Sequence, residues 1–200
     1  MFDLFLWPLA GGALGACLGY VMAAHRRDLG LTPLDFGLSA GIVALAASAF
    51  LGGVEAICLS AVLSVLALTD LKLRTLPNEL TYGLIIAGLI FAVLGPRDLL
   101  LAIIGAAIAA AALWLLRSVW LRVKGQEALG LGDVKMLAGI GAFVGPYALP
   151  EIVFWAANGG IVLALVMWVK GACDPEIPLG ATMALSVWMY LTCGPILFAV

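Results

Sequence analysis

Long apolar segments separated by short polar breaks run through this chain from end to end, and they decide how it can fold. A helix that crosses a lipid bilayer needs about 20 predominantly apolar residues, and most of these segments approach that length. The chain has 200 residues, of which 64% are hydrophobic and only 11% are charged. A water-soluble domain carries about 25% charged residues. We therefore expect one membrane-embedded domain over residues 1–200 and no separate soluble domain.

The segments predict an all-α bundle of about eight transmembrane helices. The expected spans are Phe2–Ala24, Phe36–Leu51, Val54–Thr69, Leu80–Leu94, Leu99–Leu116, Val134–Val144, Leu149–Val169 and Leu179–Val200. The sixth span is too short to cross a bilayer of ordinary thickness. Either the bilayer is thinned beside it, or this helix is shielded inside the bundle beside a water-accessible cavity.

Basic residues predict the orientation of the bundle. They cluster in loops that follow the odd-numbered helices, and the positive-inside rule assigns such loops to the cytoplasm. The cluster consists of Arg26, Arg27, Lys72, Arg74, Arg117, Arg122, Lys124, Lys135 and Lys170, whereas Arg97 lies on the other side. We therefore expect both termini in the periplasm and a multi-pass protein of the bacterial inner membrane.

The loop of residues 70–79 contains the first acidic candidate, Asp70, where the third helix reaches the cytoplasmic face. An ionisable residue near a helix end can be a boundary residue without a function, whereas a deeply placed one is usually functional. Pro77 and Asn78 also have a structural interpretation, because Pro is tolerated in the first helical turn and Asn is a common cap. This loop alone leaves both interpretations open.

The loop of residues 117–133 ends in a Gly-Leu-Gly-Asp sequence at the start of the sixth helix. Gly130 and Gly132 allow the backbone to approach another helix or an extended substrate closely. Asp133 has a structural interpretation as well, because Asp is a common helix N-cap. This motif is weak when it is taken alone.

The two aspartates together favour catalysis, because the charge pattern assigns both to the same membrane face. Two neighbouring carboxylates share a proton, so one acts as a general base on water while the other polarises a carbonyl group. This is the chemistry of an aspartyl peptidase. A serine triad is disfavoured, because the sequence has a single histidine, His25, and no Gly-x-Ser-x-Gly motif to supply a nucleophilic serine. We also expect no nucleotide site and no nucleic-acid partner.

The cysteines argue against a zinc site. Cys17, Cys58, Cys173 and Cys193 form no Cys-x-x-Cys pair. We expect no metal in the site, because a carboxylate pair activates water by itself. We also expect Cys17, Cys58 and Cys193 to be buried as small hydrophobic residues.

Three sequence blocks resemble the type IV prepilin peptidase family of Gly-x-Gly-Asp intramembrane aspartyl proteases. The blocks are Asp70-Leu71-Lys72 with Leu76-Pro77-Asn78, then Gly130 to Lys135, and Ile177-Pro178-Leu179-Gly180. The third block is similar to the family's Ile-Pro-Phe-Gly-Pro stretch, with Leu179 and Ala181 as departures. The resemblance implies that Asp70 and Asp133 are catalytic. It implies that Lys72 and Lys135 support the site, although the positive-inside rule alone would also explain both lysines.

The resemblance also implies a substrate and a question about a cofactor. Members cleave the leader peptides of type IV prepilins or pseudopilins, and many also methylate the new N-terminus with S-adenosylmethionine. Many bacterial members carry a cysteine-rich cytoplasmic domain between their first two helices, whereas this chain has only the short loop 25–35 there. We therefore expect a compact peptidase, and this departure puts the methyltransferase activity in doubt.

Two other classes of function compete with the peptidase. A proton or cation transporter would use the carboxylates as relay groups, which are expected nearer mid-membrane and on routes that reach both faces. A non-catalytic membrane subunit could keep the fold and the motifs without the activity.

Overall fold

The computed structural model describes residues 3–25, 37–42, 54–125, 129–170 and 177–197, and all regular structure in them is helical. The helices are α1 (Asp3–His25), α2 (residues 37–42), α3 (Val54–Leu73), α4 (Asn78–Leu94), α5 (Leu99–Lys124), α6 (Leu131–Val144), α7 (Leu149–Val169) and α8 (Leu179–Cys193). The prediction of an all-α bundle of about eight helices is confirmed for this part of the chain. The loop 26–35 and most of the second predicted span lie outside the described residues.

Three described helices, α3, α5 and α7, are long and apolar enough to cross a membrane, and α4 and α8 are shorter apolar helices. The surfaces of α5 and α7 carry many exposed aliphatic and aromatic side chains, such as Leu115, Trp114 and Val162. Exposed apolar side chains are costly in water but match the hydrocarbon core of a bilayer. The outer surface of the bundle therefore fits a membrane environment.

Two helices continue beyond their predicted ends. The prediction that α5 ends at Leu116 is wrong, because the helix continues to Lys124 and ends at Gly125 in the left-handed conformation, with φ of 68°. Similarly, α3 continues past Thr69 to Leu73, so Asp70 lies in its last turn. The apolar pattern marks where a helix leaves the hydrocarbon core, whereas the helix itself continues as long as its backbone hydrogen bonds continue.

The last helix is shorter than predicted. We expected α8 to continue to Val200, but it ends at Cys193 because Gly194 adopts a φ of 74° and Pro195 follows. Proline cannot donate the backbone hydrogen bond that the next helical turn requires. The buried Glu151 at the start of α7 instead accepts a hydrogen bond of 2.7 Å from the Ile196 backbone N–H, which ties the segment after α8 to α7.

The short helix α6 is the centre of the bundle. Its residues Met136 through Phe143 are all buried, and it packs most extensively against α5 and α4. A Cβ atom added to Gly141 would lie 2.5 Å from the backbone oxygen of Gly105, so α5 and α6 approach at the distance that only glycine permits. This burial favours a shielded sixth helix over a thinned bilayer.

The cysteine prediction is wrong for two residues. Cys17 and Cys193 are exposed on their helices, and Cys58 is half-buried. A thiol is small and only weakly polar, so it is compatible both with a lipid-facing position on a helix and with a buried position. Hydrophobic residues in a membrane bundle therefore need not point inward.

Candidate active site

Asp70 is a buried carboxylate held by the start of another helix. Its side chain is 6% exposed, and its Oδ2 accepts a hydrogen bond of 3.1 Å from the Ala181 backbone N–H. The Gly180 backbone N–H also donates to this carboxylate. Both donors belong to the first turn of α8, where the backbone N–H groups have no partner within the helix and carry partial positive charge. Pro178, at the N-cap position of α8, has no side chain that could accept these hydrogen bonds, so Asp70 of α3 accepts them instead.

Asp133 lies in the first turn of α6, close enough to Asp70 for their charges to interact. Its Oδ2 accepts a hydrogen bond of 3.2 Å from the Gly130 backbone N–H. Since α6 begins at Leu131, Asp133 is the third helical residue and not the N-cap, but its bond to the N-cap Gly130 N–H is the capping contact of a residue at this position, so the structural interpretation stays open beside the catalytic one. The structure thus brings together the two aspartates that the sequence singled out.

Leu76, in the segment after Asp70, packs against the starts of α6 and α8. A Cβ atom added to Gly132 would lie 2.7 Å from the Leu76 Cβ, and one added to Gly180 would lie 3.3 Å from the Leu76 Cδ2. The Cβ on Gly180 would also lie 3.0 Å from the Asp70 Oδ2. Any side chain at these two glycines would therefore push apart the groups that surround the carboxylates.

Lys135 connects α6 to the start of α4. Its Nζ donates a hydrogen bond of 2.7 Å to the Asn78 Oδ1 and lies 4.6 Å from the centre of the Tyr82 ring. Asn78 is therefore a partner of Lys135, while the buried Pro77 occupies the N-cap position of α4. The lysine holds the segment that follows Asp70 against the helix that carries Asp133. This contact supports the predicted supporting role of Lys135.

The segment after Asp70 ends α3 with an unusual backbone. Arg74 adopts a φ of 55°, and its N–H donates to the Asp70 carbonyl oxygen at 3.0 Å. A residue other than glycine in this left-handed region costs about 1–3 kcal/mol and is often found at functional sites. Lys72 is exposed in the last helical turn, so its supporting role stays a prediction.

Sequence reasoning missed two contributors to the site. The stretch from Ile177 to Gly180 was recognised only by resemblance, and nothing in the sequence connected its backbone N–H groups with Asp70. Arg117 was interpreted only as a topology determinant, yet its Nε donates a hydrogen bond of 3.0 Å to the Leu129 carbonyl oxygen beside Gly130. The signal for Arg117 was its position at the start of the second aspartate loop, well before the other basic residues of that loop.

The model of the type IV leader peptidase family matches residues 56–165, a range that contains both aspartates. The chain belongs to the type IV leader peptidase family. It is 38% identical over 164 residues to a prepilin leader peptidase/N-methyltransferase of Pectobacterium carotovorum, covering 82% of this chain and 57% of the relative. It is 32% identical over 183 residues to the protein of the same name from Aeromonas salmonicida, covering 90% and 62%. No solved structure matches the chain significantly.

Family membership confirms the resemblance found in the sequence, and with the apolar helices it identifies a multi-pass membrane protein. The chain spans about 60% of the length of these two relatives. In the described part of the chain, no group of three or more His, Cys, Asp or Glu side chains is arranged to hold a metal ion. The comparisons give no support to a transporter.

Proposed function

We propose that this protein is an intramembrane aspartyl endopeptidase that removes the leader peptide of type IV prepilins or pseudopilins. The observation that carries the proposal is that Asp70 and Asp133, from two separate family blocks, lie close enough for their charges to interact. Two backbone N–H groups hold the Asp70 carboxylate, and one holds the Asp133 carboxylate. The names of the relatives support the choice of a prepilin as the substrate.

The hydrogen bonds suggest how the two carboxylates divide the work. The Oδ2 atoms of Asp70 and Asp133 accept the backbone N–H groups, so we assign the contact with water and substrate to their Oδ1 atoms. One carboxylate, ionised, takes a proton from the attacking water, and the other, protonated, donates a hydrogen bond to the scissile carbonyl oxygen. The proton belongs to the pair, because two close carboxylates titrate together.

The active site should face the cytoplasm at the surface of the bacterial inner membrane. The helix ends around the aspartates carry Lys72, Arg74, Arg117 and Lys135, whereas the opposite ends carry the ion pair of Arg97 with Glu55. The positive-inside rule assigns the first set to the cytoplasm. The leader would then approach from the cytoplasm, while the apolar helix of the pilin stays in the bilayer.

Methyl transfer is not included in the proposal. The short loop 25–35 stands where many members carry a cysteine-rich cytoplasmic domain, and this departure makes the methyltransferase activity a separate question. Mass spectrometry of the mature pilin N-terminus, with S-adenosylmethionine supplied, tests this second activity separately.

The proposal is tested by incubating the purified protein in detergent with a prepilin that retains its leader and apolar helix. Asp70→Asn and Asp133→Asn should each lower cleavage by at least about 100-fold, because general acid–base catalysis contributes that much and neither carboxylate can play both roles. The double variant should be scarcely worse than either single variant, since the residues act as a unit. Asp98→Asn is the matched control, because Asp98 caps α5 at the other end of the bundle and Asn caps equally well.

The proposal fails if the wild-type protein cleaves no prepilin, or if one of the two active-site variants retains normal turnover at matched expression. Proton flux through proteoliposomes without prepilin, lost in the same two variants, would favour a transporter instead. Intact variants without either activity, together with an inactive wild type, would indicate a non-catalytic relative.

A further inference from the structure

Arg117 reaches from α5 to the segment that carries Asp133. Its side chain is half-buried, and its Nε–H donates to the Leu129 carbonyl oxygen at 3.0 Å. Arg122 and Lys124, in the last turns of the same helix, are exposed. The positive-inside rule needs only a positive charge at this end of the helix, which any of the three supplies. The rule therefore does not explain why Arg117 is directed at a backbone carbonyl next to the Gly-x-Gly-Asp motif.

The acceptor of this hydrogen bond is part of the peptide group that holds Asp133. The carbonyl of Leu129 and the N–H of Gly130 belong to one planar peptide unit. The carbonyl accepts from Arg117, and the N–H donates to the Asp133 Oδ2 at 3.2 Å. A cationic donor on the carbonyl polarises the peptide and strengthens its N–H as a donor, because hydrogen bonds in a chain reinforce one another.

We propose that Arg117 is a positioning residue, which holds the Asp133 carboxylate in its working position through the Leu129–Gly130 peptide. The proposal rests on the peptidase function above. The Gly105–Gly141 contact fixes α5 against the last turn of α6, and Arg117 makes a second connection between these segments at the level of the carboxylates. Rotation of the Leu129–Gly130 peptide would turn its N–H away from Asp133, and the Arg117 hydrogen bond opposes that rotation.

Comparing Arg, Gln and Met at position 117, whose side chains have similar length, distinguishes the effect of the hydrogen-bond donor from the effect of the positive charge. The side-chain nitrogen of Gln and the terminal carbon of Met lie the same number of bonds from Cα as the Arg Nε. Arg117→Gln therefore keeps a donor at this position without the charge, and Arg117→Met removes both. Arg122→Met is the control, because it removes one positive charge from the same exposed end of α5 and leaves the Leu129 contact intact.

The experiment measures prepilin cleavage in detergent for all four proteins. For Arg117→Met we expect kcat to fall by about 10- to 100-fold, since a displacement of about 1 Å in a catalytic group costs that much. For Arg117→Gln we expect a smaller loss, and for Arg122→Met a kcat close to that of the wild type. KM should change little in all variants, because Arg117 acts on the catalytic carboxylate and does not touch the substrate.

A second measurement does not depend on cleavage. Hydrogen–deuterium exchange at the Gly130 amide should be about tenfold faster in Arg117→Met than in Arg122→Met, which corresponds to the loss of one typical hydrogen bond. Unchanged exchange, or a raised KM with normal kcat, would overturn the proposal for Arg117. If the wild type and Arg122→Met both fail to cleave any prepilin, the peptidase function fails, and amide exchange alone then decides whether Arg117 holds this peptide.

Discussion

Gly132→Ala should inactivate the site without touching either carboxylate. Gly132 precedes Asp133 in the first turn of α6, and a Cβ atom there would lie 2.7 Å from the Leu76 Cβ. Ordinary contacts between such carbon atoms begin near 3.4 Å. The two segments must therefore separate by about 0.7 Å, the difference of these two distances. Because Cβ atoms are fixed to the backbone, no change of rotamer can relieve the overlap.

The separation acts on the distance between the carboxylates. Leu76 belongs to the segment after Asp70, and Gly132 is bonded to Asp133, so moving one backbone from the other pulls the pair apart. A misplacement of about 1 Å costs about 100-fold in rate, and we expect kcat to fall by about 30- to 100-fold. The Leu76 Cγ and Cδ1 contribute weaker contacts at 3.5 and 3.2 Å. Leu76→Ala, which keeps the Cβ atom, should therefore not rescue Gly132→Ala.

The assay is prepilin cleavage by the purified variants, combined with thermal unfolding in the same detergent. Gly83→Ala is the matched control, because Gly83 also lies in a helix and an added Cβ meets nothing within 4 Å. Replacing an open helical glycine by alanine should stabilise α4 by about 0.5–1 kcal/mol and leave cleavage unchanged. Near-normal kcat for a folded Gly132→Ala protein would refute the close packing of the two segments.

Four further predictions concern other parts of the molecule. Lys135→Met should lower kcat about tenfold, because it removes the charge-assisted hydrogen bond to Asn78. Lys170→Met, at an exposed helix end, is the control and should leave kcat unchanged. Strong chelators should leave both thermal stability and cleavage unchanged, because a carboxylate pair activates water without a Lewis acid; recovery of lost cleavage on adding zinc would contradict this. A variant with Cys173 as its only cysteine should react with a membrane-impermeant thiol reagent from the cytoplasmic face, and labelling from the periplasm in intact cells would reverse the orientation. Ala181→Pro should keep the fold and lower cleavage by less than about tenfold, since Pro is tolerated in a first helical turn but cannot donate to the first aspartate; complete inactivation in a folded protein would contradict it.

The sequence was sufficient to predict the class of fold and that Asp70 and Asp133 lie near each other, for physical reasons. Hydrophobicity sets the number of apolar helices, because the bilayer core requires them. The basic loops indicated that Asp70 and Asp133 share one membrane face, and the structure brings their carboxylates within reach of each other's charges. The apolar segments and the basic loops depend only on the type of residue at each position, so they can be recognised in a single sequence.

The contacts between segments could not be predicted, because they join residues that are distant in the chain and often involve only backbone atoms. The donors to Asp70 are backbone N–H groups of Gly180 and Ala181, about 110 residues away, as the separation of 111 between Asp70 and Ala181 illustrates. A backbone donor has no residue-type signature. The end of α5 was misplaced for a related reason, since Arg117 and Lys124 are polar but remain helical.

Ala181 shows how a departure from a family pattern can carry a physical consequence. The similar stretch in the family ends in Gly-Pro, whereas this chain has Gly180-Ala181. Proline has no backbone N–H, so a chain with Pro at this position has one donor fewer for the carboxylate that corresponds to Asp70. Here the Ala181 N–H donates to the Asp70 Oδ2 at 3.1 Å, in addition to the Gly180 donor. Because the departure lies in the first turn of α8, where no intrahelical hydrogen bond is at stake, it changes the surroundings of the aspartate without changing the helix.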